Sequence, residues 1–148
     1  IIGLGKKDGI AYSKEREIEY ASGCALLVKR KVFEEVGIFD STYFVYWEDY
    51  DFCKRVRERG YKIICVPTAQ MWHKVSTSTR GDSWAKWYHQ ARSTVHFYRK
   101  NVKVWYLALP IYLVWVTMRE ILFRNWGAIK PYVVGVLDSL RDEQFLCT

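Results

Sequence analysis

The chain has 148 residues, enough for one domain or one and a half small ones, and is 50% hydrophobic, 17% aromatic and 26% charged. Apolar surface on that scale offsets chain entropy and excludes a disordered or collagen-like polypeptide. The net charge of +7 is unevenly placed: residues 1–83 carry 14 basic and 12 acidic side chains, whereas residues 84–148 carry 9 and 4 and hold five of the seven Trp. A basic, Trp-rich second part predicts an anionic, partly apolar partner such as a membrane surface.

The opening stretch, residues 1–19, mixes glycines with alternating charges and reads as a loop; it starts at Ile1 rather than Met, which suggests a piece of a longer protein. Residues 21–29 (ASGCALLVK) form an apolar run expected to be a buried strand. Residues 30–36 predict a short helix stopped by Gly37, and an aromatic loop follows over 38–47. The clearest helix spans residues 48–59, with acids in its first turn, bases in its last and Phe52 and Val56 on the buried side. Residues 61–66 predict a strand closed by Pro67, so that strand, helix and strand resemble one unit of an α/β sheet.

Composition shifts at the polar run STSTRGDS, where a boundary near residue 80 divides the chain into parts 1–80 and 81–148. Beyond it, residues 84–101 predict a helix with Trp87, Ala91, Thr94, Val95 and Tyr98 along one side, and 129–140 a last helix. Between them, residues 104–118 hold no charge, fewer than the about 20 apolar residues that cross a bilayer comfortably. Cations lie on both sides of the run, and Pro110 in its middle predicts a kink or break. Two readings stand: a buried hairpin of a soluble protein, or an in-plane or re-entrant membrane anchor, which the co-occurring basic and aromatic residues favour. The four cysteines are widely spaced, with no CxxC pair and no zinc-type cluster, which fits a reducing compartment.

The residues with the most chemistry are Trp47-Glu48-Asp49-Tyr50-Asp51, three carboxylates in five positions where a loop meets a helix N-terminus. One carboxylate there is ordinary capping; three are more than a cap requires. The positive end of the helix dipole favours an ionised carboxylate able to take a proton from a hydroxyl group. His73, after the strand ending at Pro67, is either a surface residue or, beside those carboxylates, a metal ligand or phosphate contact.

Taken together, residues 21–73 resemble the C-terminal half of the catalytic domain of family 2 glycosyltransferases, nearest their rhamnosyltransferase-like branch. The likeness rests on Ser22-Gly23 before the apolar run, Gly37, Phe39 and Asp40 of a G-x-F-D turn, and the F-x-Y-x-E-D-x-D signature over Phe44 to Asp51. It continues through Arg55, Gly60 and Tyr61 of R-x-x-x-x-G-Y and Pro67, Ala69 and His73 of P-x-A-x-x-x-H. Tyr98-Arg99-Lys100-Asn101 is similar to the family's Y-x-R-N segment with a one-residue shift.

The resemblance implies an α/β GT-A fold, here its acceptor-side half followed by a helical, membrane-associated tail, and inverting transfer of a sugar, rhamnose included. The donor would be a nucleotide-sugar and the acceptor a glycan or lipid-linked molecule, at the inner, cytoplasmic face of the cell membrane. Asp49 matches the general base, with Glu48 orienting acceptor or base. Trp47, Tyr46, Asp51 and Gly23 would contribute to acceptor binding, with Asp51 better suited to fixing the loop and helix start. Trp47, Tyr46 and Tyr43 would form an apolar wall for a sugar face, although core packing is an equal expectation for each of the three. His73 matches a ligand of a divalent metal, Mg²⁺ or Mn²⁺, on the diphosphate. No D-x-D metal motif precedes Gly23 and no Gly-rich phosphate loop is present, so the resemblance predicts that these residues do not turn over alone. A non-catalytic membrane- or partner-binding module is the alternative. Nucleic acid is not an expected partner, because the cations bracket an apolar run rather than line a groove.

Overall fold

A computed structural model describes Gly9, residues 12–73 and residues 83–142. The elements in order are β1 (Arg16–Ile18), α1 (Arg30–Val36), α2 (Glu48–Glu58), β2 (Ile63–Cys65), α3 (Ser83–Asn101), α4 (Trp105–Leu122) and α5 (Trp126–Arg141). The helices lie within a residue or so of expectation where periodicity was strong, with α5 beginning three residues earlier. The boundary expected at residue 80 lies outside the described residues.

The sheet differs from the sequence reading. β1 forms inside the stretch read as a loop and pairs antiparallel with β2, with Arg16 opposite Cys65 and Ile18 opposite Ile63. The expected strand over 21–29 is instead an irregular segment containing a 3₁₀ turn at Gly23–Ala25. Its backbone becomes extended at Leu26 (φ −125°, ψ 115°), yet no neighbouring strand pairs with it among the described residues, and extended backbone without a ladder is not a sheet. The expected strand–helix–strand unit is therefore a helix-rich assembly with one two-stranded sheet.

Two apolar clusters organise the chain. One packs Val32 of α1, Phe52, Cys53 and Val56 of α2 and Ile63 of β2, with Leu26 and Val28 laid against it. Gly60 turns the chain from α2 towards β2 at φ 81°, a conformation that costs a residue with a Cβ. The second cluster joins Trp87, Ala91 and Val95 of α3, Leu109 and Val116 of α4, and Ala128, Tyr132 and Val136 of α5. α3 and α5 approach so closely that a Cβ on Gly135 would lie 2.4 Å from the Tyr88 carbonyl oxygen. Gly135→Ala is therefore expected to lower stability by about 1–3 kcal/mol, the usual range for overpacking; a denaturation midpoint equal to the parent's would contradict it.

α4 runs through Pro110 without a break. A proline at the sixth helical position removes one backbone bond, to the Tyr106 carbonyl, and Tyr106 is exposed enough for solvent to satisfy that oxygen. α4 is also no buried core helix: only 17% of it is buried, and it is long and apolar enough to cross a membrane by length and composition.

Candidate active site

The three carboxylates open α2. Trp47 precedes them in the left-handed region at φ 72°, directly after Tyr46 at φ 67°. Such conformations cost non-glycine residues about 1–3 kcal/mol each and persist where packing over-determines them. α3 supplies that packing. The Trp47 Nε1 donates to Thr94 Oγ1 at 2.9 Å, Ser93 Oγ donates to the Val45 carbonyl at 2.7 Å, and the indole lies 4.5 Å from the Phe97 ring.

Asp49 occupies a cradle made by α2 and the segment before α1. Its Oδ2 accepts from the Tyr20 hydroxyl at 2.7 Å and the Gly23 N–H at 3.0 Å, and its Oδ1 accepts from the Tyr50 N–H at 2.9 Å. A carboxylate offers about four acceptor positions, so among the described residues one on Oδ1 stays available. The cradle is itself fastened to α2: Tyr20 stacks on Tyr50 with centroids 3.8 Å apart, and the Ala21 N–H meets the Cys53 sulfur at 3.5 Å. Burial and the bond to Asp49 both push the Tyr20 hydroxyl well above the ordinary tyrosine range, so it remains a donor. Gly23 acts through its backbone N–H, since a Cβ there would meet Asp49 Cβ at an ordinary 3.7 Å.

Glu48 lies beside Asp49 in a different setting. Its Oε2 is sealed from solvent without a hydrogen-bond partner among the described residues. Burial, with the charge of Asp49 added, pushes its carboxyl above the usual range. Glu48 therefore holds its proton more tightly than an exposed glutamate does.

Asp51 does not face an acceptor, which corrects that expectation and leaves its other expected role, fixing the loop and helix start. It is 0% exposed, with Oδ2 2.8 Å from Arg55 Nε and Oδ1 3.0 Å from Lys100 Nζ and 3.1 Å from Asn101 Nδ2. Burial alone would raise its pKa, but hydrogen bonds from Asn101, Arg55 and Lys100 outweigh that and hold it below the usual range. Tyr43, expected as part of a sugar-facing wall, is buried too, its hydroxyl 3.4 Å from Asp51 Oδ1. Lys100 also reaches Asp40 Oδ2 at 2.7 Å. The outcome is a charged lock between the first turn of α2 and the last turn of α3.

The structure brings Glu48, Asp49, Gly23 and Trp47 together, with Tyr46 in the adjoining strained turn. It does not bring His73 to them: the side chain is exposed, and no group of three or more His, Cys, Asp or Glu able to hold a metal occurs among the described residues. The residues present do not fit a metal centre by themselves. An apolar groove of about 100 Å³ between α4 and α5, lined by Leu113, Thr117, Tyr132 and Val136 among others, shares no residue with the carboxylate cluster.

Comparison with known proteins bears directly on this cluster. The sequence pattern described as glycosyl transferase family group 2 matches residues 19–136, which includes Tyr20, Gly23, Glu48 and Asp49. The chain belongs to that family. Among curated proteins it is 35% identical over 94 residues to an N-acetylglucosaminyl-diphospho-decaprenol L-rhamnosyltransferase of Mycobacterium tuberculosis, covering 64% of this chain and 31% of the relative. A low-salt glycan biosynthesis hexosyltransferase of Haloferax volcanii is 23% identical over 134 residues, covering 86% of this chain and 44% of that protein. The mycobacterial galactofuranosyltransferase GlfT2 matches at 29% over 75 residues, 49% of this chain and 12% of the relative. The chain thus spans less than half of the length of each of the first two relatives. No solved structure gives a significant match.

Sequence reasoning missed Tyr20, Thr94 and the Arg55–Asp51–Lys100 connection. Tyr20 directly precedes the Ala21-Ser22-Gly23 segment, and Lys100-Asn101 fall in the segment similar to Y-x-R-N. Those neighbourhoods carried the available signal; Asp51 and Arg55 stand at i,i+4 spacing in α2, whereas the pairings of Tyr20, Thr94 and Lys100 are long-range and leave no local trace.

Proposed function

We propose that this chain is the acceptor-side part of an inverting family 2 glycosyltransferase with a GT-A fold, and that Asp49 is its general base. The observation that carries the reading is the unspent acceptor position on Asp49 Oδ1, in a carboxylate otherwise fixed by three donors. The acceptor hydroxyl gives its proton to that oxygen as its own oxygen bonds the anomeric carbon. The C–O bond to the nucleoside diphosphate breaks, and its electron pair leaves with the diphosphate. Glu48 is proposed to orient the acceptor or the base, and the Trp47 ring, with Tyr46, to border the acceptor's sugar face.

The donor is a nucleotide-sugar, held by chain beyond these residues; the acceptor is a glycan or lipid-linked sugar. Rhamnose as donor sugar is supported by the likeness to the mycobacterial rhamnosyltransferase. Mg²⁺ or Mn²⁺ belongs to the proposal only as a group that His73 would help hold with ligands from elsewhere.

The test is transfer by the full-length protein from nucleotide-activated rhamnose to a polyprenyl diphosphate-linked N-acetylglucosamine, with the product anomer assigned by NMR. Inverted configuration is expected. A retained configuration would remove the inverting mechanism, and no transfer from any of a panel of nucleotide-sugars would remove the enzyme reading. Gly23→Ala keeps the N–H and is expected to transfer within about threefold of the parent, whereas Gly23→Pro removes a donor to a charged group and should lose about tenfold. Equal rates in the two variants would separate that N–H from the function of Asp49.

A further inference from the structure

α4 carries an apolar stripe that the rest of the described chain leaves open. Leu107, Ile111, Val114, Met118 and Leu122 recur at helical spacing, and each is more than half exposed. At about 100° per residue they fall within an arc of about 80°. The opposite side of the helix, with Leu109, Val116 and Glu120, is buried against α3 and α5. A patch of this extent on one face marks an interaction site.

Its surroundings identify the occupant. Trp115 borders the stripe with Arg119 5.2 Å from its ring, while exposed Phe123 and Trp126 continue it past the helix end. Exposed Lys103 precedes the helix, and exposed Arg124 and Lys130 follow it. The acids described in α3–α5 and just beyond are committed elsewhere. Glu120 is held by Arg119 and Asn125, Asp138 accepts from Tyr88, and Asp142 pairs with Arg92. The face is therefore apolar in its middle and cationic at both ends, which complements an anionic lipid surface and disfavours a basic one.

We infer that α4 lies in the plane of an anionic membrane, its Leu107–Leu122 stripe in the acyl boundary and its flanking cations among the headgroups. The 18-residue helix is about 27 Å long, at the lower limit for the roughly 30 Å bilayer core, so the case against crossing rests on its neighbours. Crossing would carry the Tyr88–Asp138 and Arg92–Asp142 contacts on its packed neighbours into hydrocarbon. The ring contacts from Trp47 to Tyr112 at 6.2 Å and from Tyr112 to Trp115 at 5.9 Å link the loop before Asp49 to this face. That link serves a lipid-linked acceptor, and this consequence alone rests on the proposed function; the membrane seat does not.

The experiment is flotation of the full-length protein with phosphatidylcholine vesicles, with and without phosphatidylglycerol, at low and high salt, alongside sedimentation without lipid. The parent is expected to float with the phosphatidylglycerol vesicles and to release as salt rises. Ile111→Glu with Leu122→Glu should weaken vesicle binding by roughly tenfold or more, with circular dichroism unchanged because both positions are exposed. Lys103→Gln with Arg124→Gln should weaken binding at low salt and flatten its salt dependence. Three results overturn the inference: a parent that does not float, acidic variants that float like the parent, or a lipid-free dimer that those variants dissociate, which would give the face to a second copy. Loss of flotation with transfer to a short-chain soluble acceptor retained would leave the assignment of Asp49 standing.

Discussion

Replacing Asp49 by Asn in the full-length enzyme is expected to lower the transfer rate by about 10²–10⁴, the range that a positioned general base contributes. Asn keeps the side-chain shape, and its carbonyl oxygen still accepts from Tyr20 and Gly23, so of the three donors only the Tyr50 N–H loses its acceptor and the variant reports chiefly on proton transfer. Donor affinity, read by nucleotide-sugar titration, should stay within about threefold because no donor contact is ascribed to this residue. Glu48 is no substitute base: one of its oxygens is sealed away from solvent, and burial raises its proton affinity. Glu48→Gln should therefore cost less than Asp49→Asn, and Asp49→Glu should recover little, since an added methylene moves the carboxylate off the Tyr20 and Gly23 donors. Transfer by Asp49→Asn at more than about a third of the parent rate would dismiss Asp49 as the base.

The same residues explain what was legible in the sequence. α2 was readable because every local signal agrees there: acids at its start, bases at its end and Phe52 and Val56 on one side. Its start also fixed the carboxylate cluster, since Glu48, Asp49 and Asp51 must share one turn. The environments of those carboxylates were not readable. Asp49 and Asp51, at the second and fourth helical positions, lie about 160° apart around the axis, and only the position of α3 decides which of them is buried. Asp51 falls on the α3 side and becomes an internal anion; Asp49 falls towards the Tyr20–Gly23 segment and keeps a free oxygen position. The run over 21–29 was misread for a related reason. Leu26, Leu27 and Val28 have strand composition, but a strand exists only with a neighbour, and Leu27 remains fully exposed. Pro110 misled in the opposite direction, because one lost backbone bond is tolerable where the freed carbonyl is solvated.

The reassignment of Asp51 makes a quantitative prediction. Removing one partner of a buried ion pair typically costs about 3–5 kcal/mol, because the remaining charge is left uncompensated. Here the cost of Asp51→Ala should sit near the low end, about 3 kcal/mol. Lys100 keeps Asp40 at 2.7 Å, and Arg55 keeps the Val36 and Ile38 carbonyls, both at 2.8 Å. Urea denaturation at neutral pH measures it. The dependence on pH has a definite sign: Asp51 and Asp40 are both held below the usual carboxylate range in the fold. Their contribution is therefore complete above the unfolded carboxylate pKa, about 3.9 for Asp, and disappears as pH falls through the lower folded values. The gap between parent and Asp51→Ala should accordingly narrow in acid and stay constant from neutral pH upwards. Pairing Asp51→Ala with Lys100→Met should give a coupling energy of about 1–3 kcal/mol, since the two side chains form one ion pair. An acceptor-binding Asp51 would behave differently, raising KM for the acceptor with stability and coupling unchanged. Asp51→Asn separates the two: a residue that locks α2 to α3 loses stability and kcat together, because the turn it anchors is the turn that carries Asp49.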